Sequence, residues 1–377
     1  MRVRSLFLAL CLFGWHSAEA SVVTTLKITV LSTMLADEGV GEWGFAALIE
    51  ADGQQLLIDT GARPDTVLQN AHELGIDLSR VRTVVLTHFH DDHVGGLMTL
   101  RSAMKKRDPT ALSMTHVATG IFYSRPKPDG GENNTMVTLR AQYEATGAIF
   151  VEHSGFAEVI PGIWLTGPVP RPFPERNWSG SGKVLTPAGL VEDTVPEDQS
   201  VIVETTKGLV IITGCGHAGI VNIVTDADVH FGHRPVFAVI GGLHLLEATD
   251  TKLAWTADRR RQSGLRYLIG ARSTSIEAVY RLRNRMGLDR KTAVVGAVGA
   301  SFSLADGIHP GKIAQLNWWP FRQAQSYRAN LQTASELETM PRMSPRRSLA
   351  RHRAASRPTS RRQRDKDVCG ERRHLRP

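Results

Sequence analysis

The chain has 377 residues, of which 42% are hydrophobic, so it is long enough to bury one large core or two smaller ones. Its formal net charge of +8 is concentrated near the C-terminus, because residues 341–377 hold 13 of the 45 Lys and Arg residues but 3 of the 37 Asp and Glu residues. The first 340 residues therefore carry 32 basic and 34 acidic side chains, a balance that argues against nucleic acid as a partner of the folded domain.

Residues 1–20 have the pattern of an export signal. Arg2 and Arg4 form a basic start, Leu6–Trp15 is a short apolar run, and Ala18-Glu19-Ala20 fits the small-x-small pattern of a cleavage site. A transmembrane helix needs about 20 apolar residues, and neither this run nor any later segment is long enough. We expect cleavage after Ala20, a mature chain without a membrane span, and a periplasmic or secreted protein.

Strands dominate the elements predicted at the start of the mature chain. A strand rich in β-branched residues precedes two apolar strands that turn at Asp52-Gly53, which is a strong hairpin signal. The predicted elements are a strand over Ser21–Leu31, the hairpin over Gly44–Gly61, a helix over Arg63–Ile76, a strand over Val81–His88 and a helix from Val94. This order is typical of the first half of an αββα sandwich.

A histidine-rich turn, His88-Phe89-His90-Asp91-Asp92-His93, directly follows the buried strand. His88 and His90 are two residues apart on an extended segment, so both rings can face one side and bind one cation. Asp92 and His93 follow in the turn and can bind a second cation a few ångströms away. Paired cations hold a bridging water and lower its pKa. A solvated polar turn is the alternative, and we favour metal binding because the spacing is specific.

The second half of the chain repeats the order of the first. A hairpin is predicted over Gln199–Gly214, and His217 follows it in a turn that opens a helix. A later strand ends at the Gly-Gly-Leu-His turn of His244, and helix, strand, turn and helix come after it. Between the halves, Pro172–Asp198 is predicted to be a long irregular loop.

We predict one domain over residues 21–316 and a basic, disordered extension over residues 317–377, because residues 345–367 contain almost no large apolar side chains. The extension could bind polyanions, but we favour a dispensable segment. Cys11 lies in the signal and Cys369 in the extension, so Cys215 has no partner for a structural disulfide.

Three motifs carry a resemblance to a known family. The histidine-rich turn, preceded by "LLIDTG" on a strand, resembles the metallo-β-lactamase superfamily. The stretches "EDQSVIVETTKGLVIITGCGHAGI" and "VIGGLHLL" are similar to those of its dihydropterin-ribofuranosyl-aminobenzene-phosphate synthase branch, with a match from about Lys27 to Gln315. The resemblance implies a four-layer αββα metallo-β-lactamase sandwich that binds one or two divalent metal ions per chain, with zinc expected and manganese or iron as alternatives.

The resemblance also implies roles for residues outside the histidine-rich turn. His217 stands where the superfamily places a later metal ligand, the alternative being a histidine that caps the turn. Cys215 stands where relatives outside this branch carry a metal-bridging aspartate, so it is either a zinc ligand or a small packed residue. His244 could be a ligand, a substrate contact or a core histidine. Asp198 could bind metal or support a ligand, whereas Asp59 is expected to orient groups around the metals.

Arginines provide the expected substrate contacts. Relatives read His-Cys-Thr-Gly where this chain reads Arg272-Ser273-Thr274-Ser275, and Arg272 cannot replace a histidine ligand because it is a permanent cation. Turned towards the metals it would weaken cation binding, and turned outward it would recognise an anionic substrate. Arg171 and Arg176, close to Trp178, could hold an anionic and partly aromatic substrate, the alternative being a surface loop.

We expect an exported hydrolase that acts on an ester or phosphoester bond of a small, anionic substrate. In that hypothesis a hydroxide held between the two metals is the nucleophile, and Asp92 is the catalytic carboxylate. One alternative is a transferase that joins a pterin to an aryl phosphate, as the resemblance implies. The other is a metal- or ligand-binding protein that has lost catalysis because Arg272 replaces the histidine of its relatives.

Overall fold

The computed structural model describes residues 21–311. The export signal predicted for residues 1–20 and the extension predicted for residues 317–377 lie outside the described residues. Along the described part of the chain, no helix combines the length and the hydropathy that crossing a bilayer requires.

The strands of each half are mostly consecutive along the chain. The strands of the first half are β1 (Leu26–Ser32), β2 (Ala46–Ala51), β3 (Gln54–Ile58), β4 (Thr83–Val85), β5 (Met114–Ala118) and β6 (Ile149–His153). The next nine are β7 (Ala157–Ile160), β8 (Ile163–Leu165), β9 (Lys183–Thr186), β10 (Gly189–Glu192), β11 (Ser200–Thr205), β12 (Gly208–Thr213), β13 (Val236–Gly241), β14 (Tyr267–Gly270) and β15 (Ala293–Val295). Two short strands, β16 (Ser301–Ser303) and β17 (Gly307–His309), close the described chain.

Of the α-helices in the described chain, four belong to the first half and three to the second. Those of the first half are α1 (Thr66–Glu73), α2 (Asp91–Val94), α3 (Leu97–Lys105) and α4 (Met136–Glu144). Those of the second half are α5 (Ile220–His230), α6 (Asp250–Gln262) and α7 (Ile276–Met286), and single 3-10 turns lie at Leu78–Arg80 and Arg272–Thr274.

Two mixed sheets form the centre of the molecule. The first has the strand order β17-β16-β1-β2-β3-β4-β5-β6, and the second has the order β15-β14-β13-β12-β11-β8-β7. Within the first sheet β3 to β6 are parallel, and within the second β12 to β15 are parallel. The hairpin of β2 and β3 turns at Asp52-Gly53, where both residues have positive φ, as the tight turns that suit strand twist require.

Three apolar clusters separate four layers. One cluster fills the space between the sheets, with side chains such as Ile28 and Ile212 fully buried. A second lies between the first sheet and α1, α3 and α4, and a third lies between the second sheet and α5, α6 and α7. Burial on both faces explains why the strands read as continuous apolar runs rather than alternating ones. The predicted αββα sandwich is therefore confirmed.

Two predicted elements differ from the structure. The segment Pro172–Asp198 is not irregular throughout, because β9 and β10 form a separate two-stranded hairpin. Its apolar residues Leu185 and Leu190 are about half exposed, and Val184 is the buried residue of β9, so burial marks this hairpin only weakly. The first strand begins at Leu26 rather than Ser21, since the backbone N–H of Thr24 donates to the carboxylate of Asp52 instead of to a sheet partner.

Candidate metal centre

The predicted site residues lie where parallel strands end. β4 leads into the histidine-rich turn, β12 leads into Cys215 and His217, β13 into His244, and β14 into Arg272. The carboxyl ends of parallel strands meet at one edge of a sheet, which is where α/β folds commonly place their sites. The two sheets contribute one such edge each, so the two halves of the chain meet at the centre.

Three imidazoles converge at this edge. The ligand nitrogens of His88, His90 and His217 all lie within 4.8 Å of one another. His88 Nε2 is 3.0 Å from His90 Nδ1, and the ring of His217 is 4.7 Å from that of His88 between centroids. His88 and His217 are buried, and we call these three residues the imidazole site.

The imidazole site suits a divalent cation. Burial lowers the pKa of His88 and of His217 well below 6.5 and that of His90 to about 3, so the rings are neutral and carry free lone pairs. His217 Nδ1 lies 2.6 Å from the carbonyl oxygen of Asn177, which assigns the proton to Nδ1. Its Nε2 is left as an acceptor, and this buried atom has no hydrogen-bond partner among the described residues. Three neutral nitrogen donors are a ligand set that zinc favours.

Asp59 organises the neighbouring part of the turn. Its carboxylate accepts hydrogen bonds from the backbone N–H and the hydroxyl of Thr87, each at 2.8 Å, and lies 2.6 Å from His93 Nδ1. Burial by itself lowers the pKa of His93, but Cys215 and Asp59 outweigh it and raise the pKa to about 10. Asp59 therefore orients His93 and holds the imidazolium form.

Arg272 points into the centre. Its Nη2 forms an ion pair with Asp92 Oδ2, and its Nη1 donates to the sulfur of Cys215. Cys215 is buried and free, and its sulfur is 3.3 Å from His93 Nε2. Of the two orientations considered for Arg272, the inward one is adopted. The Oδ2 atom of Asp92 is therefore already paired with the Arg272 guanidinium.

Asp198 and His244 flank His217. Asp198 Oδ2 accepts a hydrogen bond of 2.8 Å from the N–H of Ala218, while its buried Oδ1 has no hydrogen-bond partner in the described chain. Burial raises the pKa of Asp198 to about 6. The ring of His244 lies 4.6 Å from that of His217, but among the described residues His244 does not belong to the clusters whose ligand atoms converge. Asp198 thus supports the turn that carries His217.

A cavity of about 490 Å³ opens onto the imidazole site. Its wall combines two tryptophans, three cationic side chains and the site histidines. The lining residues include Trp43, His90, Arg176, Asn177, Trp178, His217, His244, Glu247, Lys252 and Arg272. The cavity can therefore receive a small molecule that has an anionic group and an aromatic or apolar part.

The two arginines of the predicted substrate loop lie in different places. Arg176 lines the cavity and pairs with Glu192 at 2.8 Å. Arg171 is not among the lining residues, because its guanidinium donates to the carbonyl oxygens of Thr194 and Val195 at 2.7 and 2.8 Å. Arg171 therefore stabilises the loop that precedes β11.

The cavity residues that the sequence did not predict include Trp43, Asn177 and Lys252. Lys252 Nζ donates to Asn177 Oδ1 at 2.7 Å, and the carbonyl of the same asparagine fixes His217. Asn177 lies between Arg176 and Trp178, which were both considered as substrate contacts, so its position in the sequence could have indicated its role. Lys252 and Trp43 lie in other elements and carry no motif.

A buried arginine braces the histidine-rich turn from the other side. Arg125 forms ion pairs with Asp193 at 2.8 Å and Glu197 at 2.7 Å, and its guanidinium stacks 3.6 Å from the ring centroid of Phe89. Glu197 in turn accepts a hydrogen bond from the N–H of Phe89 at 3.3 Å. The backbone between His88 and His90 is therefore anchored to the segment before β11.

Comparison with known proteins agrees with this geometry. Residues 44–108 match the family profile described as the metallo-beta-lactamase superfamily. Over 268 residues the chain is 27% identical to 7,8-dihydropterin-6-methyl-4-(beta-D-ribofuranosyl)-aminobenzene-5'-phosphate synthase of Methanocaldococcus jannaschii, a match that covers 68% of this chain and 90% of that protein. A local match of 72 residues is 36% identical to ribonuclease Z of Mycobacterium avium and covers 19% of this chain and a quarter (25%) of that protein.

Among solved structures, a metal-dependent hydrolase of the beta-lactamase superfamily superposes with a TM-score of 0.58. The two chains are 24% identical, and the match covers 74% of this chain and 98% of the other, which shows a shared fold. Residues 44–108 thus match the metallo-β-lactamase superfamily profile, and the chain is similar to the dihydropterin-ribofuranosyl-aminobenzene-phosphate synthase branch of that superfamily.

Proposed function

We propose that this protein is an exported, metal-dependent hydrolase that cleaves an ester or phosphoester bond in a small anionic substrate. The observation that carries the proposal is the convergence of three neutral imidazoles, two of which line a cavity of about 490 Å³. Export is supported by the basic, apolar and small-residue pattern of residues 1–20.

A divalent cation in the imidazole site would activate water and stabilise negative charge on the substrate. Zinc is the first candidate because nitrogen donors suit it, and manganese and iron are the alternatives. Neighbouring residues of the chain fix the orientation of the ligand side chains. The Asn177 carbonyl fixes the proton of His217 on Nδ1, and Asp198 holds the turn behind that residue through Ala218. Such supporting contacts set ligand orientation and basicity.

The cavity wall favours an anionic, partly aromatic substrate. Arg176, Lys252 and Arg272 supply positive charge, with Glu247 as the acidic group among the lining residues. Trp43 and Trp178 offer flat apolar faces on which an aromatic ring can stack. Because Lys252 is already hydrogen-bonded to Asn177, an anion bound there would interact with a lysine whose position is set before binding.

The proposal is tested with the purified full chain loaded with Zn²⁺ and assayed on aryl esters, aryl phosphomonoesters and aryl phosphodiesters. His90→Ala is expected to remove both bound zinc and turnover, because it deletes one of three ligands. His72→Ala is the matched control, since His72 is exposed on α1 and is not among the residues that line the cavity. Turnover that survives His90→Ala, or a zinc-loaded chain inactive on the whole panel, would contradict the proposal.

A transferase is the second candidate, and a specific observation favours it. The match to the Methanocaldococcus jannaschii synthase extends over 90% of that protein rather than over the metal motif alone. In this case the cation would act as a Lewis acid while a pterin is joined to an aryl phosphate. Incubation of the zinc-loaded chain with both reactants separates the candidates: a coupled product supports the transferase, and release of phosphate or alcohol from the panel supports the hydrolase.

A further inference from the structure

A second group of metal donors lies beside the imidazole site. His93 Nε2 is 3.3 Å from the sulfur of Cys215 and 3.7 Å from Asp92 Oδ2, and we call these three residues the second donor group. The ligand atoms of His93 and Cys215 also lie within 4.8 Å of that of His88. In their deprotonated forms, imidazole, thiolate and carboxylate are all donors that zinc accepts, so the chemistry of this group alone would suit a second cation that displaces the His93 proton.

The Arg272 guanidinium already lies within the second donor group. One of its terminal nitrogens pairs with Asp92 and the other with Cys215. Because arginine is a permanent cation, a divalent ion between the same two atoms would be in contact with a positive charge and repelled by it. The residues present therefore do not fit a second metal ion.

Several contacts hold Arg272 in this position. Its backbone N–H donates to Thr33 Oγ1 at 3.1 Å, and the ring of Trp43 covers the outer face of the guanidinium at 4.7 Å. The residue is 7% exposed, and its φ of 36° lies in the left-handed region that non-glycine residues seldom adopt. Outward rotation would leave the Asp92 carboxylate and the Cys215 sulfur without this cation. The inward position is thus fixed by the backbone as well as by the side chain.

The contacts that hold Arg272 do not involve the imidazole site. In the described chain the hydrogen bonds and ion pairs in which Arg272 is the donor go to Thr33, Asp92 and Cys215 and to none of the three imidazoles. Arg272 also lines the cavity next to His90 and His217. A metal ion at the imidazole site and the guanidinium would therefore face the same bound molecule.

We propose that Arg272 takes the place of a second metal ion, so that this centre binds a single divalent cation and uses the guanidinium as its second positive charge. The inference rests on the proposed metal site at His88, His90 and His217. It assigns Arg272 to the substrate-facing wall as a fixed cation that no chelator can remove.

Metal stoichiometry tests the inference without any substrate. The purified full chain is stripped with a chelator and titrated with Zn²⁺ or Co²⁺ during equilibrium dialysis, followed by elemental analysis. The wild type is expected to hold one ion, and Arg272→His two, because an imidazole ligand replaces the cation. With Co²⁺, the second ion in Arg272→His should bring a near-ultraviolet cobalt–thiolate band from Cys215, and the wild type should lack that band.

Two further variants complete the design. Arg272→Lys keeps the positive charge and should hold one ion, and adding Cys215→Ser to Arg272→His should abolish the cobalt–thiolate band. If Arg272→His does not fold, the wild type and Arg272→Lys still decide the matter. Two ions or a cobalt–thiolate band in the wild type would overturn the inference. An inactive chain with one ion defeats the proposed function alone, and an active chain with two ions defeats this inference alone.

Discussion

Gly214 lies where the backbone after β12 passes the segment that carries the histidine motif. A Cβ atom at this position would lie 2.0 Å from the hydroxyl oxygen of Thr87 and 2.7 Å from Asp59 Oδ2. Those two residues are hydrogen-bonded to each other and to the imidazoles on either side. The absence of a side chain at Gly214 is therefore what allows the two halves of the centre to approach.

Gly214→Ala should damage both stability and metal binding. The added methyl group must displace Thr87 or Asp59, so we expect a loss of about 1–3 kcal/mol in the free energy of unfolding, the usual cost of overpacking. Zinc affinity should fall as well, since His88 follows Thr87. Urea unfolding and zinc titration measure the two effects. Gly155→Ala is the matched control, because a Cβ there meets no atom within 4 Å. Equal behaviour of the two variants would contradict this role of Gly214.

At the residue scale the sequence was sufficient to predict the convergence of some side chains and not of others. His88, His90 and His217 converge, and each of them follows an apolar strand within a few residues. The inward direction of Arg272 could not be predicted, since it depends on a left-handed backbone and on Thr33 and Trp43, which are remote in sequence. Lys252 escaped for the same reason, because its role arises from a contact between two distant segments.

Helix α5 illustrates how an element can carry a charge at the edge of its buried face. Ile223, Val224 and Ala227 pack against the second sheet, and Asp226 lies between them at the margin of that face. Burial raises the pKa of Asp226 from 3.8 to about 6, and no other cause contributes. The folded state therefore binds a proton at Asp226 more readily than the unfolded chain does.

This shift predicts a pH dependence that Asp226→Asn removes. The favourable contribution of the protonated carboxyl is fully present below pH 3.8 and is lost as the pH rises through about 6. At pH 7.5 the asparagine variant should therefore be more stable than the wild type by about 1 kcal/mol, a figure reduced for solvent screening. Chemical unfolding of both proteins at pH 4.5 and pH 7.5 measures the difference. A stability difference between the two proteins that is the same at pH 4.5 and at pH 7.5 would refute the assignment.

At the element scale, the strands and helices that were predicted correctly are those whose burial produces an apolar periodicity in the sequence. The hairpins of β2–β3 and β11–β12 and the helix–strand–helix order of α6, β14 and α7 followed from apolar periodicity and turn residues. The hairpin of β9 and β10 was missed because Leu185, Leu190 and Val191 remain exposed, and only Val184 of these two strands is fully buried. Apolar periodicity detects such a strand poorly, because the periodicity depends on burial.

At the scale of the whole described chain, the two sheets meet at the imidazole site. His88 and His90 follow a strand of the first sheet, whereas His217 follows a strand of the second. A cation bound by all three crosslinks the two sheets at one edge. A ligand that binds only the folded state stabilises it in proportion to the logarithm of its concentration, by about 2.7 kcal/mol at a hundredfold excess over its Kd.

Removal of metal should therefore lower the thermal stability of the whole domain. We expect the Tm of the zinc-loaded wild type to fall by several degrees after treatment with a chelator and to recover when zinc is restored. His90→Ala should show the lower Tm from the start and no response to chelator. Differential scanning calorimetry measures these changes. A wild-type Tm indifferent to zinc would argue against a cation that joins the sheets.

The separation of these ligands along the chain sets an order of events. During translation the segment with His88 and His90 emerges well before β12 and His217, and it offers two imidazoles where three are needed. The complete three-ligand sphere can close only when the second sheet has formed, so binding of the ion by all three imidazoles is coupled to folding of that sheet. For a chain that folds after crossing a membrane, the ion supply on the far side, and not that of the cytosol, would decide which metal is bound.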